Sequence, residues 1–121
     1  MSDASIQRAV SEFCAAALEK SDFASPAQRD RALHKTMARS VAYLRSAGPA
    51  GMAAFRSLMG HESPHVRSWV CTELLATGDE SARPSLEVLS QAPGLVGTGA
   101  ANVLSEYANG RLRSPFRDVE A

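Results

Sequence analysis

The stretch Pro64-His65-Val66-Arg67-Ser68-Trp69-Val70-Cys71-Thr72-Glu73-Leu74 decides the reading of the fold. A second stretch, Leu95-Val96-Gly97-Thr98-Gly99-Ala100-Ala101-Asn102-Val103-Leu104, repeats its pattern thirty residues later. Val66 matches Val96, Val70 matches Ala100, Cys71 matches Ala101 and Leu74 matches Leu104. The matches fall at i, i+4, i+5 and i+8, the spacing of one buried helix face. Upstream, Phe55 and Leu58 echo Leu86 and Leu89, so each unit reads as two helices. A helical hairpin cannot bury its apolar face alone, and a period near thirty residues predicts hairpins stacked side by side.

The rest of the chain extends this reading. Ile6, Ala9, Val10, Phe13, Cys14, Ala17 and Leu18 form a continuous apolar stripe, which predicts an amphipathic helix over 4–20. Ser25-Pro26 has the form of a cap followed by proline in the first turn, opening a second helix. That helix buries Leu33, Met37, Val41 and Leu44 and ends at Gly48-Pro49. A third helix runs from about Pro49 to Met59, and Ser63-Pro64 repeats the cap-and-proline device to open a fourth, ending near Thr77-Gly78. Asp79 is placed to cap a fifth helix with Pro84 in its first turn, and a sixth follows Pro93-Gly94 and stops at Gly110. No segment alternates with period two for the length of a strand, so the predicted class is all-α. The expected organisation is one helical domain over 1–112. Within it, 1–47 form a divergent N-terminal capping hairpin, 49–78 the first repeat and 79–110 the second. In the tail, 113–121, Phe116 is the one large apolar residue able to pin it to the body.

Composition bounds the function. Of 121 residues, 45% are hydrophobic and 21% charged, as in an ordinary globular chain and unlike an extended disordered one. Thirteen basic and thirteen acidic side chains balance, so no global field draws the molecule to nucleic acid or an anionic membrane. No apolar run approaches the roughly twenty residues that span a bilayer. The start, Met1-Ser2-Asp3-Ala4-Ser5, lacks the basic-then-apolar order of a secretion signal, which makes the cytoplasm the expected location. Cys14 and Cys71, both on apolar helix faces, read as reduced core thiols.

The run Ser63-Pro64-His65-Val66-Arg67, followed by Trp69-Val70-Cys71 and Leu74-Leu75, resembles the second helix of HEAT-like repeats. The short period is closer to the compact phycobilisome-lyase type, and the stretch from about Pro49 to Gly110 is similar to an uncharacterised family of small bacterial HEAT-like proteins. The resemblance implies a right-handed α-α superhelix of about three stacked hairpins, HEAT/ARM-like, with the second helices of successive units lining a concave surface. It implies no activity, since that superfamily includes scaffolds, inhibitors and a few nucleic-acid enzymes. The second unit departs from the pattern where Gly97 stands in place of Arg67.

Several strings with chemical associations lead elsewhere. His61-Glu62-Ser63-Pro64-His65 matches the H-E-x-x-H zinc-protease string, but that chemistry needs both histidines one turn apart on a continuous helix. Pro64 stands between them and reads as a helix start, leaving His61 and Glu62 in the turn. The two cysteines lack an adjacent base, and the glycines at 94, 97 and 99 follow no strand as a phosphate loop would. No enzyme, metal or cofactor is expected.

Two surfaces remain. Stepping about 100° per residue along the fourth helix puts Trp69, Thr72 and Glu73 opposite the core face. With Asn102 and Glu106 of the sixth helix they would share a shallow acidic groove centred on an aromatic anchor. Trp69 has a second arrangement open to it, packed beneath the second helix or the tail, in which case Glu73, Asn102 and Glu106 would still form the rim. The groove reading predicts a non-catalytic protein-interaction module, in one form an inhibitor or immunity-type protein clamping a basic partner. Apolar end faces of so short a stack leave room for a dimer. The alternative surface is basic: Arg31, Lys35 and Arg39 recur every four residues along the second helix, with Arg29 and Arg45 nearby, as a phosphate-tracking stripe would.

Overall fold

A computed structural model of the chain describes residues 2–22 and 25–117, and among these there is no strand. The fold is all-α. Helix α1 (Asp3–Lys20) starts under Ser2, whose hydroxyl accepts from the Ser5 amide at 3.2 Å; Asp3 in its first turn and Lys20 in its last complement the helix dipole. Helix α2 (Ala27–Ser46) begins one residue later than the Ser25-Pro26 pattern predicts. Pro26 itself occupies the cap position and no side chain caps the helix, because Ser25 now stands one residue too far from the first free amides. Gly48, at φ 73°, takes the left-handed conformation that turns the chain directly from α2 into α3 (Gly48–Ser57), which a 3₁₀ turn extends over Leu58–Gly60.

Ser63 caps α4 (Pro64–Ala76) as expected: its hydroxyl accepts from the Val66 amide at 3.4 Å, and Pro64 has no amide to satisfy. Asp79 caps a different element from the one predicted. Its carboxylate accepts from the Ser81 amide at 3.1 Å and so closes a 3₁₀ turn, Glu80–Ala82, that precedes α5 (Arg83–Leu89). Helix α6 (Gly94–Ala108) follows Pro93.

Asp79 also receives Arg56 Nε at 2.7 Å. The Ser81 hydroxyl first, and Arg56 after it, hold the Asp79 carboxyl below the usual carboxylate range. A depressed folded-state pKa contributes stability above the unfolded pKa and loses it as pH falls through the folded value. Asp79→Ala should therefore cost about 1 kcal/mol at neutral pH. The gap in urea midpoints should narrow as pH drops below about 4, the ordinary aspartate range. An equal gap at pH 7 and near pH 3 would mean the charge plays no part.

Buried side chains from every helix, and from the segment after α6, form one interior. Phe13 of α1 and Phe55 of α3 meet edge to face with centroids 5.2 Å apart. Met37, Val41 and Leu44 come from α2, Val66, Val70, Cys71 and Leu74 from α4, Leu86 and Leu89 from α5, and Ala100 from α6. Helices α1 and α2 pair antiparallel, tied near their turn by Arg29–Glu19 at 2.6 Å and Lys20–Asp30 at 2.8 Å. Helix α4 touches α1, α5 and α6.

The two echoing helices differ in depth. All four matched residues of α4 are buried, whereas in α6 only Ala100 is; Val96 and Leu104 are half-buried and Ala101 is exposed. Helix α6 is the last helix among the described residues, packing on α4 and α5. The departure at Gly97 has a steric cause. A Cβ there would lie 1.8 Å from the carbonyl oxygen of Ala92, so the chain entering α6 leaves no room for the side chain that Arg67 carries in α4.

Candidate functional site

Trp69 stands on α4 between two neighbours that are remote in sequence. Its ring lies 5.7 Å from the His34 ring of α2 and 5.8 Å from that of Phe116, while His34 and Phe116 are 5.0 Å apart, so the three rings form one cluster. Lys20, at the end of α1, holds its ammonium 5.6 Å from the indole centroid, within cation–π range. Phe116 is buried in this cluster and reaches Phe13 as well, with centroids 6.2 Å apart.

The segment 111–117 is held over α2 and α4 by polar contacts on either side of that ring. His34 Nε2–H donates to the Pro115 carbonyl oxygen at 2.8 Å, which places the ring proton on Nε2. The Ser114 hydroxyl donates to Glu73 Oε1 and accepts from the Phe116 amide at 3.1 Å. Glu73 Oε2 in turn receives Arg45 Nη2 at 2.7 Å, and the same nitrogen reaches Thr77 Oγ1 at 2.8 Å.

This arrangement corrects the predicted groove at its centre. Glu73 is only 2% exposed and does not sit on any rim. It stands seven residues past Val66, about 20° from it around the helix and so at the edge of the α4 core face, where α2 and the C-terminal segment close over it. Thr72 is half-buried, Asn102 is exposed, and Glu106 is exposed with Arg111 Nε 3.5 Å away. The five residues thus divide: Trp69 and Glu73 are engaged by the chain's own segment 111–117, Thr72 lies half-buried between them and the surface, and Asn102 and Glu106 remain open on α6. Arg45, His34 and Ser114, the partners that make this so, carried no signal in the sequence. Each lies 28 or more residues from the α4 or C-terminal atom it binds.

What stays open beside Trp69 is a recess of about 210 Å³ lined by Lys20, Ser21, His65, Ser68, Leu95 and Val96 along with the indole. Leu95 is 65% exposed at its edge. Its charged or titratable members are Lys20, which Asp30 pairs at 2.8 Å, and His65, so the lining lacks the acidic side chains expected around Trp69.

The other candidates fall as follows. Arg31, Lys35 and Arg39 are all exposed on α2, and none forms an ion pair among the described residues, whereas Arg29 and Arg45 are taken up by Glu19 and Glu73. His61 serves the turn before α4: its Nδ1 accepts from the Ser63 amide at 2.9 Å, and its carbonyl accepts from Arg67 at 2.7 Å. Among the described residues no three His, Cys, Asp or Glu side chains are grouped to hold a metal ion. Burial pushes the Cys71 thiol up to about 11, against weaker opposing effects of Ser85 and Arg67, and burial raises Cys14 as well. Both therefore stay protonated near neutrality, the wrong form for a nucleophile. No helix among the described residues is long and apolar enough to cross a membrane.

Neither a protein-family model nor a curated protein nor a solved structure matches the chain.

Proposed function

We propose that this chain is a non-catalytic protein-interaction module built from HEAT-like hairpins, and that it takes a segment of a partner protein in the recess beside Trp69. The observation that carries the reading is Leu95, 65% exposed next to a half-buried tryptophan at the mouth of a concave site. A large exposed aliphatic residue beside a rigid aromatic one is the composition of a binding hot spot. In this reading α1–α2, α3–α4 and α5–α6 are successive units of a right-handed α-α superhelix. The contact of α4 with α6, the second helices of adjacent units, supports that arrangement.

The chemistry of the partner follows from the lining. Lys20 is paired with Asp30 and no acidic side chain lines the recess, so the partner offers an apolar side chain to Trp69 and Leu95. That replaces the basic partner an exposed Glu73 would have suited. In its inhibitor or immunity-type form the partner is an enzyme whose activity falls on binding.

Selection of a random 12-residue peptide library on the intact protein tests the reading. Enriched peptides should share an aromatic or large aliphatic residue, and Leu95→Asp should weaken their binding at least tenfold. No enrichment, or enrichment that survives Leu95→Asp, would refute it.

A further inference from the structure

A second concavity, of about 540 Å³ against about 210 Å³ for the recess at Trp69, lies in the seam between the N-terminal half of α1 and the C-terminal half of α2. Ser5, Arg8, Ala9 and Glu12 form one wall, and Thr36, Arg39, Ser40 and Tyr43 form the other. Because the helices run antiparallel, Ser5 and Tyr43 stand at one end, Glu12 and Thr36 at the opposite end, and Arg8 and Arg39 between them.

The hydrogen-bonding character changes along this cleft. Arg8 and Arg39 come from opposite walls, and neither has an acidic partner among the described residues, although Arg29, Arg45 and Arg56 each have one. Two like charges drawn to one cleft repel, and an anion between them turns that cost into attraction. The Ser5 hydroxyl accepts from Ser2 at 2.9 Å, so its own proton is free to donate, and the Tyr43 phenol adds a second donor. The far end is reversed. The Thr36 hydroxyl donates to the Ala32 carbonyl at 3.2 Å, so it presents only acceptor lone pairs, as Glu12 does.

We propose that the α1–α2 cleft binds a small hydroxylated phosphate ester, with Arg8, Arg39, Ser5 and Tyr43 taking the phosphate and Glu12 and Thr36 accepting from the hydroxyls. Two guanidiniums and two hydroxyl donors match a dianion with three free oxygens better than a carboxylate with two. The apolar floor at Ala9 and the Tyr43 ring suit the carbon skeleton between the ends. The site is separate from the recess at Trp69, so either assignment stands or falls without the other.

Calorimetric titration of the whole protein with inorganic phosphate, glycerol 3-phosphate and glucose 6-phosphate tests the assignment. Both esters should bind saturably and more tightly than inorganic phosphate. Arg8→Gln or Arg39→Gln should each weaken the esters at least tenfold, Glu12→Gln should weaken the esters but not inorganic phosphate, and Arg31→Gln should change nothing. All four positions are exposed, so circular dichroism of each variant should match the parent. No binding by any of the three probes overturns the proposal, as does equal affinity for all of them or equal loss in Arg31→Gln. A salt-dependent affinity for mixed DNA that needs Arg31 and Lys35, and that glucose 6-phosphate does not compete, would also overturn it, in favour of a polynucleotide tracked along α2.

Discussion

Arg45→Ala should lower the stability of the protein by about 2–3 kcal/mol, more than most exposed arginine substitutions. The guanidinium is partly solvated, at 39% side-chain exposure, but the Glu73 carboxylate it neutralises is 3% exposed. Removing the cation leaves a charge under α2 and the C-terminal segment with the Ser114 hydroxyl as its remaining side-chain donor. Breaking a fully buried pair costs about 3–5 kcal/mol, and the solvation of Arg45 brings the expectation below that range. The control is the double variant Arg45→Ala/Glu73→Gln, which leaves no unpaired charge behind and should recover most of the loss. Urea unfolding of the parent, both single variants and the double variant closes the cycle. If Arg45→Ala lies within about 0.5 kcal/mol of the parent, the level of an ordinary surface change, then the pair does not hold the segment down.

Phe116→Ala should cost about 3 kcal/mol, the lower end of the range for a buried phenylalanine, since the segment 111–117 lies outside any helix and relaxes more easily than a core helix. Phe116 is the ring that joins Phe13, His34 and Trp69, so its loss opens the cluster from the C-terminal side. Trp69 is the sole tryptophan of the chain and reports this directly. Its emission should shift to the red in the folded variant, and trypsin should cut at Arg111 and Arg113 under conditions that leave the parent intact. An unshifted emission spectrum together with parental resistance to trypsin would show that the segment is held by its polar contacts alone.

Both predictions concern the C-terminal cluster, whose apolar part the sequence did offer, Phe116 as a pin and Trp69 beneath α2 or the tail, and whose polar contacts it did not. Helix positions were legible because they depend on neighbours close along the chain. The helix under the stripe from Ile6 to Leu18, the Ser63-Pro64 start and the Gly48 turn each work within a few residues and appear where the pattern placed them, although Leu18 at the end of the stripe is 44% exposed. Where a boundary differs, at Ser25 and Asp79, it does so by one short turn, because the choice between adjacent caps is worth too little to be read from one residue.

The candidate surface was legible only in outline. A helical wheel puts Glu73, seven residues past Val66, about 20° from it around the α4 axis, at the edge of the core stripe and not opposite it as the groove reading had it. Whether that edge meets water depends on Arg45 and Ser114, 28 residues before it and 41 after. Both are ordinary polar residues in their own segments, with no periodicity to mark them. The same holds for the α1–α2 cleft, where Arg8 and Arg39 read separately as solvated charges and become a pair only when the helices dock.

The amino-acid order by itself determined that the chain is helical, where its helices begin and end, and which stripe of each is apolar, because those properties arise from local hydrogen bonding and side-chain periodicity. The tertiary structure alone decided which polar residues reach the surface. That outcome depends on which distant segment covers each helix face, and an uncovered face and a covered one carry the same local pattern until the chain closes over one of them.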